Sequence, residues 1–383
     1  MPRAQPVYDL VLRGGNLLDP LNGTWSTGHL CIADGVIAAI LPISSSFASK
    51  AHVDVTGLMV TPGLTDLHVH SYPGETFWGI DTDWPSLASG VTTTIDAGSA
   101  GSGNFDGLAR ILRNSRLKAL AFVNIARTGL ANPYGELLDA SSIDVEGAVN
   151  VARAHPDLVV GFKLRASPNT VGKNYLECLA AVRRAGDETG LPVMIHVSDG
   201  PPNLETVLAH MRAGDILTHC FTPYENGVVG EGGKPKAVVL EALSRGVLLD
   251  VGHGSGSFSF PAVQAWRENE MVLPIISTDL HSRSVLGPAF DMATVMTKFL
   301  AVGWDVEEVV AAGTVAPAKT LGRGVRLEVG ATADVAVLAV EEGPLGVWDS
   351  RGVEVQSLRR LSCKLAAGAG VVRHASAGVR IER

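Results

Sequence analysis

The chain has 383 residues, enough for a large barrel with a companion domain, and its 46% hydrophobic and 18% charged content describes a core-rich globular protein rather than a disordered one. Acidic residues outnumber basic ones 39 to 31, a net charge of −8, which excludes the electrostatic footprint of a protein that binds nucleic acid or an anionic membrane surface. No apolar run approaches the length of a membrane span, the opening residues carry no hydrophobic leader, and Cys31, Cys178, Cys220 and Cys363 form no C-x-x-C pair, so a cytoplasmic enzyme acting on small molecules is expected.

Residues 1–60 read as short strands with tight turns. Tyr8-Asp-Leu-Val-Leu alternates, Gly14-Gly15 reads as a turn, and residues 30–40 read as a hairpin about Asp34-Gly35. Residues 61–318 then alternate apolar strands with helical patterns. The predicted strands run over 63–70, 91–97, 120–125, 159–164, 192–197, 215–220, 247–251 and 273–278. Most are continuous apolar runs, as in parallel strands covered on both faces. Leu204, Val207, Leu208 and Met211 share a helix face, as do Met292, Val295, Met296, Phe299 and Leu300. Asp305 with Glu308 has the spacing of a capping box, and Gly186 and Gly246 sit where helices would stop. Residues 319–383 return to the β texture of the start, with a strand at 333–338. The expected architecture is a (β/α)₈ barrel over 61–318 with a small β-sandwich domain assembled from 1–60 and 319–383.

In such a barrel the chemistry lies where the strands end at their C-terminal side. The first predicted strand ends in His68-Val69-His70, which period two puts on one face. The fourth carries Lys163, the fifth ends at His196, the sixth at His219 and the eighth at Asp279. A lone histidine at a strand end is more often structural than a ligand; four converging on one mouth with an aspartate reverse that weighting. Neutral imidazole and carboxylate are ordinary ligands for divalent metals, Zn²⁺ among them. An ammonium repels metal, but a lysine amine that takes up CO₂ becomes an anionic carbamate able to bridge two metals. Two divalent ions balanced by a carbamate, Asp279 and hydroxide suit metal-assisted hydrolysis. Four further residues are candidates for contacting substrate. Arg165, two residues past Lys163, could clamp a carboxylate. His253 and His281 lie in strand-end loops, and Ser99 opens a Gly-Ser loop whose N–H groups could face an anion. The remaining histidines lie away from the strand ends and read as structural.

Val60-Thr-Pro-Gly-Leu-Thr-Asp-Leu-His-Val-His resembles the opening motif of the amidohydrolase superfamily, and residues 329–338 resemble its returning β-domain. Asp96-Ala-Gly-Ser-Ala-Gly, Gly252-His-Gly-Ser-Gly-Ser-Phe-Ser-Phe and Ser277-Thr-Asp-Leu-His are similar to its dihydroorotase-like deacetylase branch. The resemblance implies two divalent metals, expected to be Zn²⁺, on His68, His70, carboxylated Lys163, His196, His219 and Asp279. It implies hydrolysis of an amide or ester, with acetylated acids as the expected acyl donors, Asp279 carrying the proton and a small anionic molecule as substrate. It also implies assembly into a homo-oligomer. Cyclic-amide hydrolysis, phosphoester hydrolysis and heterocycle deamination are the alternatives on the same scaffold, and a silent dihydropyrimidinase-related scaffold disagrees with the complete ligand set. Dihydroorotases follow the His-x-His with Leu-Arg, whereas Ser71-Tyr72 stands here.

Overall fold

A computed structural model describes residues 6–132, 135–322 and 326–383. Both ends of the chain contribute to one antiparallel-rich sheet. Its main path runs, in spatial order, through Val371–Ala375, Glu354–Gly368, Val335–Trp348, Met59–Pro62, Leu10–Asp19, Thr24–Ala33 and Val36–Pro42. Met59–Pro62 joins the two halves by pairing antiparallel with Val335–Leu338. Leu10, Leu12, Leu30, Ile32, Val53, Val335, Val337 and Leu365 form the core of this domain. The hairpin at Asp34-Gly35 forms as expected, with φ of 51° and 75° at its two central residues, the pattern of a type I′ turn. Gly14-Gly15 is not a turn. Gly14 takes φ 75° inside the continuous strand Leu10–Asp19, where the register shifts between Leu12 and Gly15, so the glycines make a bulge.

The middle of the chain forms a parallel sheet of seven strands in sequence order: Leu64–Val69, Val91–Gly101, Lys118–Asn124, Val159–Ala166, Val193–Val197, Ile216–Thr218 and Leu248–Asp250. The expected eighth strand at 273–278 is not a regular ladder. Its segment closes the barrel through isolated parallel bridges, Asp250 to Ile275 on one side and Val69 to Leu280 on the other. Two features interrupt it. The Asp66 carboxylate takes the Thr278 N–H at 3.0 Å and its hydroxyl at 2.6 Å, and Asp279 turns to φ 48°. Ile95, Leu120, Phe122, Met194, Ile216 and Ile275 form a separate buried cluster. Met194 and Ile216 lie two residues before His196 and Thr218 on the same strands, so this apolar layer floors the polar mouth.

Helices cover the sheet with the faces read from sequence. Leu204, Val207 and Leu208 are buried on Leu204–Ala209, and Val295, Met296, Phe299 and Leu300 on Met292–Val302. Each such side chain stabilises the fold by roughly 1.5–3 kcal/mol through burial. The Asp305–Glu308 capping box is present. Gly246 follows the helix Ala237–Ser244, but Gly186 lies within Tyr175–Thr189, which ends at Gly190 with φ 72°. Gly186 serves close packing instead, since a Cβ there would come within 3.0 Å of the Leu191 carbonyl. All four cysteines are free and buried. Among the described residues no helix is long and apolar enough to cross a membrane.

Candidate metal centre

His68 is the penultimate residue of the first strand, Leu64–Val69, and His70 follows that strand directly; Lys163 projects from the fourth, His196 from the fifth, and His219 stands just beyond the sixth. Asp279 joins them from the irregular closing segment. One ligand atom each from His68, His219 and Asp279 lies within 4.8 Å of the other two. Asp279 Oδ1 is 3.4 Å from His68 Nε2 and 3.1 Å from His70 Nε2. Lys163 Nζ is 3.4 Å from His68 Nε2 and rests on Met194 Sδ at 3.3 Å. The His196 ring meets the His219 ring edge-on with centroids 4.4 Å apart. His68, His70, Lys163, His196, His219 and Asp279 therefore line one cavity of about 440 Å³.

Three imidazoles are oriented from behind. The Thr218 hydroxyl donates to Asp250 Oδ2 at 2.6 Å and so accepts from His68 Nδ1 at 2.9 Å. The Gly252 carbonyl accepts from His219 Nδ1 at 2.6 Å, and Ser99 Oγ holds His70 Nδ1 at 2.9 Å. Ser99 is itself fixed by its N–H to Asp96 Oδ1 at 2.7 Å, while Ser71 N–H takes the other oxygen at 2.6 Å. A proton on Nδ1 leaves the Nε2 lone pair facing the cluster, the arrangement of metal-ligating histidine with its outer partner. His219 and Asp279 adopt φ of 67° and 48°, sparsely populated for side-chain-bearing residues and typical of functional sites. The loop after the seventh strand makes room for both. A Cβ on Gly252 would lie 2.8 Å from His219 Nδ1, and one on Gly254 2.4 Å from Asp279 Oδ2.

Burial sets the protonation states. It drives His70 down to about 3 and His219 to about 4, and holds His68 and His196 well below the ordinary imidazole value. The four rings are thus neutral, the form that binds metal. Lys163 is lowered to about 7, chiefly by burial, with Asp279 and Asp250 opposing. Burial raises Asp250 to about 6 and Asp66 to about 7. Neutral imidazoles, a carboxylate and a readily neutral amine, aimed at one point, fit a divalent metal centre.

The four residues expected at substrate separate. Arg165 and His281 line the cavity; Arg165 Nη1 is 3.4 Å from the buried Glu136 carboxylate, and His281 packs edge-on to Trp78. Ser99 and His253 do not line it. Ser99 holds His70 instead, and His253 is fully buried, stacked on Phe258 and bonded to Lys298 at 2.7 Å. Sequence reasoning missed Tyr224, Asp199, Trp78 and the segment 255–257 on the cavity wall, and Thr218 and Asp250 behind His68. Thr218 carried a signal, since it precedes His219 on the inward face by alternation with Ile216.

A family model described as the amidohydrolase family matches residues 59–356. The chain is 32% identical over 352 residues to a deacetylase of Enterococcus faecalis, spanning 90% of this chain and 94% of that one. It is 34% identical over 341 residues to a deacetylase of Agrobacterium fabrum, spanning 88% and 84%. Among solved structures, an adenine deaminase superposes with TM-score 0.89 at 30% identity, covering 96% of this chain and 100% of the other. A dihydroorotase does so with TM-score 0.84 at 31% identity, covering 96% and 98%.

Proposed function

The chain belongs to the amidohydrolase family and is a metal-dependent hydrolase acting on C–N bonds, and from that premise we propose that it removes an acyl group, acetyl in the simplest case, from the nitrogen or oxygen of a small carboxylate-bearing molecule. The observation that carries this reading is Arg165. Its guanidinium lines the same cavity as Asp279 and the imidazoles, two residues beyond Lys163 on one strand face. A planar guanidinium fork suits a carboxylate, and this one is 3.4 Å from Glu136, a spacing that leaves it donors to offer.

The centre would hold two divalent metals, Zn²⁺ in this reading, on His68, His70, His196, His219 and Asp279. Lys163 would join that set as a carbamate. Its neutral amine adds to CO₂, forming the N–C bond and releasing one proton, and an amine lowered to about 7 is substantially neutral at cellular pH. Bound metal supplies Lewis-acid polarisation of the carbonyl and a water of lowered pKa. Asp279, whose carboxylate reaches both His68 and His70, accepts the nucleophile's proton and returns it to the leaving nitrogen or oxygen. A cytoplasmic location belongs to the same reading and is supported by four unpaired thiols.

Cyclic-amide hydrolysis is the second reading, favoured by the likeness to a dihydroorotase structure. Against it, Ser71 N–H is committed to Asp96 and the Tyr72 hydroxyl to the Asn104 carbonyl, so neither offers a cation to a substrate carboxylate. The test is a screen of the metal-loaded enzyme against N- and O-acetylated acids, dihydroorotate and hydantoins. A matched acid and methyl ester are then compared on wild type and Arg165→Ala. Losing a hydrogen bond to a charged group costs about 1.5–3 kcal/mol, one to two decades in kcat/KM for the acid alone. Equal losses on acid and ester would refute carboxylate recognition by Arg165.

A further inference from the structure

Lys298 is a fully buried lysine on the helix Met292–Val302 that touches none of the proposed ligands. Its ammonium has three acceptors, each at 2.7 Å: His253 Nε2, the Pro288 carbonyl and the Trp348 carbonyl. Burial lowers this lysine to about 7, its protonated form matches three N–H donors to the three acceptors, and the Phe258 ring lies 5.5 Å from the nitrogen. The acceptors come from three separate parts of the chain. His253 belongs to the loop after the seventh strand, Pro288 to the segment after Asp279, and Trp348 to the end of a long strand of the terminal domain.

The donors and acceptors fix the His253 tautomer. The Gly254 carbonyl can only accept, so Nδ1 of the neutral imidazole carries the proton given to it at 2.8 Å, and His253 Nε2 is left to accept from Lys298. The amide side of this loop is held independently. Gly252 N–H goes to Ser277 Oγ at 2.9 Å, His253 N–H to the Ser277 carbonyl at 3.2 Å and Gly254 N–H to the Thr278 carbonyl at 2.9 Å. Only the Gly254 carbonyl, and with it the peptide plane leading into Ser255, depends on His253 and Lys298. Residues 255–257 line the cavity, following a turn over residues 254–256. Their far end is anchored by the hairpin that carries Trp348: Ser350 N–H donates to the Phe258 carbonyl at 3.0 Å, and Phe260 N–H to Asp349 Oδ2 at 3.1 Å.

We propose that Lys298 is a positioning residue which, through His253 and the Gly254 carbonyl, sets the cavity wall 255–257 and couples that wall to the terminal-domain hairpin. The proposal rests on the reading of this cavity as the hydrolytic site. Because Gly254 N–H keeps its own anchor beside Asp279, the effect falls on substrate fit rather than on proton transfer.

The test compares wild type with Lys298→Met, a near match in length that removes all three donors, and with His253→Gln, which breaks the link while leaving Lys298 its two carbonyl acceptors. Metal content, steady-state kinetics on an acylated acid and amide hydrogen exchange are measured on each full-length, metal-loaded protein. The expected result is wild-type metal content, KM raised about tenfold with kcat within threefold, and exchange at 255–258 accelerated at least tenfold with the barrel strands unchanged. A loss confined to kcat, or exchange at 255–258 equal to wild type, overturns the proposal. Should Lys298→Met fail to fold, His253→Gln decides it by the same two readouts. The exchange measurement needs no substrate, so absence of acyl hydrolase activity would sink the functional reading, while the positioning role would still stand or fall on exchange at 255–258.

Discussion

Thr218→Val isolates the support of one proposed ligand from the ligand itself. The substitution exchanges a hydroxyl for a methyl of similar size on a fully buried strand residue, so packing is nearly conserved. What disappears is the link that accepts from His68 Nδ1 at 2.9 Å and donates to Asp250 Oδ2 at 2.6 Å. The His68 ring then loses the partner that fixes its tautomer, and removing such an outer partner typically weakens metal affinity about 10–100-fold. Asp250 suffers separately. It is fully buried and its Oδ1 already has no hydrogen-bond partner, so losing the Thr218 hydroxyl removes a bond to a charged group worth roughly 1.5–3 kcal/mol of fold stability. Competition against a chromophoric chelator at a pH of about 7.5, where the imidazoles are neutral, gives the affinity, and thermal melts of the metal-free protein give the stability. Both should fall, and added metal should restore the melting temperature only at higher concentration than wild type needs. A folded Thr218→Val protein that binds metal within twofold of wild type would refute the reasoning that His68 is a ligand held through Thr218.

Asp279→Asn should keep the fold yet lower kcat by roughly 10²–10⁴-fold, the scale of a lost general acid–base; near-normal turnover in a metal-loaded variant would move the proton transfer elsewhere. Lys163→Ala should lose bridged metal and most activity, with partial rescue by short carboxylic acids. Because Lys163 is lowered to about 7, wild-type reconstitution at limiting bicarbonate should also decline as pH falls below 7, and a flat profile by metal analysis would speak against a carbamate. The metal-free protein should lose stability as pH drops from about 6.5 toward 4. Seven histidines, His68, His70, His196, His219, His253, His281 and His374, are held below the ordinary imidazole value and take up protons later than the unfolded chain, and Asp54 and Glu341, lowered to about 2, add to the loss near pH 4. Six buried carboxylates, Asp66, Asp96, Glu136, Asp215, Asp250 and Asp291, are raised and act in the opposite sense but are outnumbered. Melts across that range showing rising stability would reverse the assignment.

The barrel was legible because its strands are buried on both faces and therefore read as continuous apolar runs. Seven of the eight expected segments are strands in sequence order. The eighth escaped because its irregularity is tertiary: Asp66, more than two hundred residues earlier, takes over the Thr278 N–H, and no local pattern announces that. Gly14-Gly15 misled for a related reason. A glycine pair is consistent with a turn or a bulge, and the choice was made by the pairing of Leu10–Asp19 with Thr24–Ala33. The converging polar residues were legible from strand ends: period two turns His68, His70, Lys163 and His196 to the mouth, while His219 and Asp279 reach it through left-handed backbone just past their strands. Their supports were not. Ser99, read as a loop facing an anion, holds His70, because a serine hydroxyl can serve an imidazole as readily as a ligand. His253, read as a substrate contact, is claimed by Lys298 from a helix that sequence treats only as an apolar face with one charge.

The glycine-rich loop connects these two kinds of information. His219 and Asp279 hold left-handed backbone geometry that costs on the order of 1–3 kcal/mol each, so the surrounding structure must over-determine them. The Gly252 carbonyl fixes the His219 ring, and the bare Cα of Gly254 is all that fits beside the Asp279 carboxylate. Alanine at either position would bring a Cβ within 2.8 Å of a proposed ligand atom or closer. The spacing Gly-His-Gly therefore has a physical reading that composition hides. Two glycines admit two side chains of the proposed metal centre, and the histidine between them turns away into the core, where Lys298 ties the loop to the domain built from the chain's ends.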